Sequence, residues 1–154
     1  LVSIVKSKVK DIHASGVCVV SKTPDITNAR IEFENGCVAN LTTSRISMKA
    51  MRKSRFFQQD AYISVDFLEK KAEVIKMKEA PENPSDFDMI IENAEGEKNQ
   101  ILFEYPNIQP NNAILDELES FADAILENKP IEVSLEDGTE ALKVALKIVD
   151  LIKN

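Results

Sequence analysis

The side chains capable of chemistry lie in small, separated groups. Ser44 and Arg45 stand together at the end of a strand-like segment, and a guanidinium there suits an oxyanion. Arg45 reads as a ligand contact or as a strand-end ion pair with a neighbour such as Glu32. Lys49, Arg52, Lys53 and Arg55 form a basic cluster in an acidic chain. They read as a phosphate-binding group, with Lys49 foremost, or as a solvated face balancing nearby acids. His13 is the only histidine; it suits acid–base work, or is an ordinary exposed strand residue. A single histidine rules out multi-histidine metal sites within one chain, and no metal ligand set is assigned. Glu32 and Glu34 stand two apart without a partner that would make an acid–base pair. Tyr62 and Asp66 share one strand face and read as structural.

The elements that must position these groups centre on residues 25–45, DITNARIEFENGCVANLTTSR. Ala29, Ile31 and Phe33 alternate with Arg30, Glu32 and Glu34, which is strand periodicity. Asn35-Gly36 tolerates the positive φ of a two-residue type I′ turn. That turn predicts Phe33 opposite Val38 and Arg30 opposite Leu41. Ala29, Ile31, Phe33 and Val38 then share a core face, and Cys37, Ala39 and Leu41 join Arg30, Glu32 and Glu34 on the other. This second face mixes apolar atoms with charges, a composition found at subunit interfaces. Arg30, Glu32, Cys37, Ala39 and Leu41 are therefore the expected oligomer contacts, with Arg30 and Lys49 meeting acids of a second copy.

Composition sets the outer limits. The chain has 154 residues, 44% hydrophobic and 29% charged, enough for one domain with a real core. A net charge of −7 disfavours a general nucleic-acid binder. No apolar run reaches the roughly 20 residues of a membrane-spanning helix. Cys18 and Cys37 lie in strand-like segments and read as reduced thiols of a cytoplasmic protein, since two cysteines are no disulfide framework. Leu1, Ile4, Val5, Lys8 and Val9 resemble the tail of an amphipathic helix without a capped start, as expected of a fragment of a longer protein.

Further strands are expected along residues 9–20, as one strand or two joined near Ser15-Gly16, after Ile46, across residues 61–67 following a turn at Gln59-Asp60, and across 71–79. A loop fixed by Pro81 and Pro84 leads into a second hairpin, residues 87–93 and 100–105, turning through Asn93 to Gly96. Two helices close the chain. Asn112 caps the first, whose stripe is Leu115, Leu118, Phe121, Ala122, Ile125 and Leu126. Ser134 to Asp137 opens the second with a capping-box pattern, Asp standing for the usual Glu or Gln. Leu142, Ala145, Leu146, Val149 and Ile152 form its main stripe; Ala141, Val144, Ile148 and Leu151 form another. The fold class is α+β: an open, mainly antiparallel sheet with helices packed on one face.

The segment ARIEFENGCVANLTTSR, with the closing run ELESFADAILENKPIEVSLEDGTEALKVALKIVDLI, resembles the C-terminal domain of the Gfo/Idh/MocA oxidoreductases, the glucose–fructose oxidoreductase and inositol dehydrogenase family. The resemblance covers almost the whole chain and is weakest over residues 79–109. It implies that residues 1–154 are one substrate-binding and oligomerisation domain, and that an N-terminal Rossmann domain binding NAD or NADP belongs to the parent protein. Gly16, Gly36, Gly96 and Gly138 are isolated, so this chain has no G-x-G-x-x-G phosphate cradle and no cofactor site is expected in it. The family's Glu-Lys-Pro tripeptide is also absent, which leaves no catalytic residue assigned here. The implied reaction is hydride transfer at a sugar or polyol carbon. In that setting Ser44, Arg45 and Lys49 become substrate contacts, the basic cluster suiting a phosphorylated or nucleotide-linked sugar. The implied partners are the Rossmann domain, a carbohydrate and further copies of the chain. A non-catalytic ligand-binding or scaffold module of the same architecture is the alternative.

Overall fold

The computed structural model describes residues 1–83, 85 and 88–153. Pro84, invoked above as fixing a loop, and Phe87, placed at the start of a strand, lie outside the described residues. The chain divides into two compact units, residues 1–48 with 112–154, and residues 49–111. It is α+β, and every strand pairing in both units is antiparallel. The strands expected of one sheet form two.

The first unit opens with a one-turn helix, α1 (Val2–Val5), ended by Lys6 in a left-handed conformation. The expected helix tail is therefore present, but it stops before Lys8 and Val9. Strands β1 (Val9–Val17), β2 (Ile26–Phe33) and β3 (Val38–Ser44) form a three-stranded sheet in sequence order. Residues 9–17 make one strand rather than two joined near Ser15-Gly16. Cys18 and Cys37 lie just outside the strands and are free and exposed.

The hairpin register corrects the expectation. Phe33 N–H donates to the Cys37 carbonyl at 2.9 Å and Gly36 N–H to the Phe33 carbonyl at 3.0 Å. The loop is thus three residues long, Glu34-Asn35-Gly36, with Gly36 at φ +84°. This is the type I turn plus left-handed glycine that closes three-residue hairpins. Ile31 now opposes Ala39, and Ala29 opposes Leu41. A one-residue change of register exchanges the faces. Cys37, Ala39 and Leu41 therefore join Ala29, Ile31 and Phe33, and part from Arg30 and Glu32. Val38 moves the opposite way.

That apolar face is the core. Ile12, Ile31 and Phe33 are buried, with Val5, Val9, Ala39, Val144 and Ile148 packed against them. The last two come from α3 (Leu135–Lys153). The sheet-facing side thus combines Val144 and Ile148 of one stripe with Ile152 of the other, while Leu142, Leu146, Val149 and Leu151 are exposed. Helix α3 sits close: a Cβ on Gly16 of β1 would lie 2.6 Å from Ile152 Cγ2. The N-terminus of α3 carries the expected reciprocal cap, Asp137 N–H to Ser134 Oγ and Ser134 N–H to Asp137 Oδ2. Helix α2 (Ala113–Leu126) is capped by Asn112 Oδ1, which accepts from Ile114 and Leu115. Its stripe of Leu115, Leu118, Phe121 and Ile125 is exposed.

The second unit is a five-stranded sheet in the order β4-β5-β6-β8-β7. Its strands are β4 (Lys53–Phe57), β5 (Ala61–Asp66), β6 (Lys71–Glu79), β7 (Met89–Glu92) and β8 (Lys98–Glu104). Gln59-Asp60 turns as expected, with Gln58 N–H bonded to the Ala61 carbonyl at 2.8 Å. The turn from Asn93 to Gly96 repeats the first hairpin: Asn93 N–H bonds the Glu97 carbonyl, and Gly96 has φ +85°.

Candidate functional site

Arg45 follows β3, where its own N–H donates to the Asp25 carbonyl at 2.9 Å. Its Nη2 lies 3.1 Å from Asp25 Oδ1 and also donates to Ser21 Oγ, Thr23 Oγ1 and the Thr23 and Pro24 carbonyls. The ion-pair reading of Arg45 is realised, but with Asp25 rather than Glu32. No Nε or Nη1 contact occurs among the described residues, and the side chain is 58% exposed. Ser44 Oγ accepts from Ile46 N–H at 3.3 Å.

Asp25 is the residue that sequence reasoning passed over. It is only 3% exposed. Its Oδ2 accepts from three successive amides, Val19 and Val20 at 2.8 Å and Ser21 at 3.0 Å, and Oδ1 accepts from Ser21 Oγ. Consecutive N–H groups forming a concavity make an anion nest, filled here by the chain's own carboxylate. These backbone hydrogen bonds, from Val19 first, hold the carboxyl well below the usual range, against the opposing effect of desolvation. The available sequence signal was an acid placed directly after Pro24 and before a strand.

Lys49 lies in the second unit and is exposed. Lys53 pairs with Asp66 at 3.2 Å across β4 and β5. The Asp66 carboxyl is held below its ordinary value, first by the Glu69 amide and also by Lys53. One member of the basic cluster is therefore a structural ion-pair partner. Tyr62 shares a strand face with Asp66, as expected, and its ring packs against Phe57 with centroids 5.0 Å apart.

Four further titratable groups, Asp11, His13, Arg30 and Glu32, share the uncovered face of the three-stranded sheet. The register aligns them in rows across the strands: Asp11, Glu32 and Val38; then His13, Arg30 and Asn40; then Ser15, Asn28 and Thr42. Ion pairs run along the strands between rows, His13 to Asp11 at 3.1 Å and Arg30 to Glu32 at 3.4 Å. Thr42 Oγ1 donates to Asn28 Oδ1 at 2.9 Å. A shallow depression of about 350 Å³ lies over the second and third rows. These groups can hydrogen-bond and neutralise charge; they form no nucleophile–base pair. Glu34 lies beyond the end of β2, as the first residue of the turn, its N–H bonded to the Lys8 carbonyl. No group of three or more metal-ligating side chains occurs among the described residues. No helix there is long and apolar enough to cross a membrane.

An α+β sheet domain of this kind is what the sequence resemblance implied, and the resemblance to the C-terminal domain of a Gfo/Idh/MocA oxidoreductase is borne out. A relative is UDP-N-acetylglucosamine 3-dehydrogenase from Acidithiobacillus ferrooxidans, 29% identical over 138 residues, which cover 90% of this chain and 40% of the relative. Its solved structure superposes with a TM-score of 0.81 at 27% identity, over 98% of this chain and 44% of that one. An NAD-binding protein from Listeria innocua shares the fold, with a TM-score of 0.63 at 17% identity over 96% of this chain and 40% of that one. No family model matches the chain. The chain thus spans well under half the length of these relatives.

Proposed function

We propose that this chain is the substrate-binding and oligomerisation domain of an NAD(P)-dependent oxidoreductase acting on a sugar, polyol or related carbohydrate. One observation carries the proposal. Nearly the whole chain superposes on one part of a UDP-N-acetylglucosamine dehydrogenase, and the chain itself has no dinucleotide fingerprint. The dinucleotide then binds to a Rossmann domain elsewhere in the parent, as NAD or NADP, and the enzyme works in the cytoplasm. A nucleotide-linked sugar is the substrate class that the relative suggests.

Within this reading Arg45 has two separate tasks. Nη2 fastens the end of β3 to the Asp25 loop. The rest of this largely exposed guanidinium meets a substrate hydroxyl or phosphate, together with Ser44. Self-association uses the uncovered face of the three-stranded sheet, where Arg30 and Glu32 lie. Cys37, Ala39 and Leu41 belong instead to the helix-covered side, where Ala39 packs on the core.

Cofactor titration tests the division of labour. The 154-residue chain should show no saturable response to NADH, followed by nicotinamide fluorescence. The polypeptide encoded by the whole gene should show one. Micromolar NADH binding to the chain alone would overturn the proposal.

A further inference from the structure

We propose that Asp25 decides which kind of oxygen Arg45 can hold: single donors remain for a neutral sugar hydroxyl or acyl carbonyl, and no donor pair remains for a phosphate. This rests on the reading of Arg45 as a substrate contact given above, and it names the part of the substrate that Arg45 meets.

A guanidinium grips a phosphate or carboxylate best through two parallel N–H groups. It has two such pairs, Nη1 with Nη2 and Nε with Nη2, while the third side is closed by the side chain's own Cδ. Nη2 is therefore common to both pairs. In Arg45 this nitrogen is the one turned into the loop before β2. Five oxygens surround it at 2.8–3.3 Å: Asp25 Oδ1, Ser21 Oγ, Thr23 Oγ1 and the carbonyls of Thr23 and Pro24. Its two hydrogens have more acceptors than they can serve, so both donor pairs are closed at once. The hydrogens of Nε and Nη1 remain, and they diverge. Each can serve one acceptor.

Charge points the same way. Asp25 is 3% exposed, and the amides of Val19, Val20 and Ser21 fix its carboxylate beside Arg45. A phosphate at Arg45 would be attracted by the guanidinium and repelled by the carboxylate already bonded to it. A hydroxyl or acyl carbonyl carries no charge and meets no such opposition. It accepts one N–H, which is what the remaining donors offer. A nucleotide-linked sugar bound here accordingly places its sugar ring at Arg45 and its diphosphate elsewhere.

The experiment uses the polypeptide encoded by the whole gene. Calorimetry gives its affinities for UDP-N-acetylglucosamine and for UDP, with thermal melting as a folding control. Arg45→Ala should weaken binding of the nucleotide sugar by about tenfold or more and leave that of UDP within about twofold. UDP ends in a phosphate at the point where the sugar would begin. Asp25→Asn removes the opposing charge there, so UDP should bind this variant about threefold or more tighter, and the gain should vanish when Arg45→Ala is added. A merely structural Asp25 would give no such gain. Equal loss of both ligands in Arg45→Ala would put the diphosphate at Arg45 and overturn the assignment. Loss of neither would overturn it together with the substrate contact itself. UDP affinity that does not rise in a folded Asp25→Asn protein would overturn the role of Asp25. If that variant fails to fold, the two-ligand comparison with Arg45→Ala still decides. An original gene product that binds neither ligand would also overturn the assignment. Oxidation of another sugar by that product with a nicotinamide cofactor would show that the oxidoreductase reading survives.

Discussion

At the scale of single residues, Asp25 and Arg45 matter most. A nearly buried carboxylate that receives three backbone amides and a guanidinium organises residues 18–24 and the end of β3 together. Asp25→Asn replaces an acceptor with an amide whose NH₂ cannot accept from the nest, and it leaves Arg45 without its anion. The melting temperature at neutral pH should fall by roughly 5 °C or more. The pH dependence has a definite sign. The folded carboxyl sits below its ordinary value of 3.8, so its stabilising contribution is complete above about pH 5. That contribution is lost as pH falls below about 4 towards the lower folded value. The gap between the original chain and Asp25→Asn, measured by thermal melts, should therefore narrow in acid. A constant gap from pH 7 to pH 2 would contradict this role. Arg45 was legible as either a ligand contact or an ion pair, but its partner was not. Asp25 becomes its neighbour only when β2 and β3 pair, which sequence distance does not reveal.

At the scale of elements, the two glycine turns show what local signals can and cannot decide. Asn35-Gly36 announced a hairpin correctly. A glycine with positive φ serves both the two-residue and the three-residue loop, and the choice sets the register. The three-residue loop lets Ala39 join Ile31 and Phe33 in the core, so burial arbitrates what the turn residues left open. Gly36 has φ +84° and open space around its Cβ position. Gly36→Ala should cost about 1 kcal/mol, purely through the left-handed backbone. Gly16 poses a different constraint, since an added Cβ collides with Ile152. Gly16→Ala should cost about 1–3 kcal/mol by forcing α3 off β1. Urea unfolding orders the two; a Gly16 variant less damaging than the Gly36 variant would contradict the close helix–sheet approach. The strand and helix positions were legible from periodicity and capping at Asn112 and Ser134. The side of α3 that meets the sheet was not, because both stripes are apolar and only tertiary packing selects Val144, Ile148 and Ile152.

At the scale of the whole molecule, the α+β class was legible from strands followed by helices. The division into two sheets was not: short turns connect antiparallel neighbours equally well within one sheet or in two successive ones. The exposed stripe of α2 and the exposed Leu142 and Leu146 of α3 leave apolar surface uncovered. The candidate site was legible only in part. The sequence supplied Arg30, Glu32, Ser44 and Arg45, whereas register supplied the alignment of Glu32 with Asp11 and of Arg30 with His13. The most direct measurement of the proposed function uses the polypeptide encoded by the whole gene. It is incubated with UDP-N-acetylglucosamine and with NAD⁺ or NADP⁺, and reduced nicotinamide is followed by absorbance. Substrate-dependent reduction of at least one cofactor is the expected result. A folded gene product that reduces neither cofactor with this nucleotide sugar, or with a panel of other nucleotide sugars, free sugars and polyols, would contradict it.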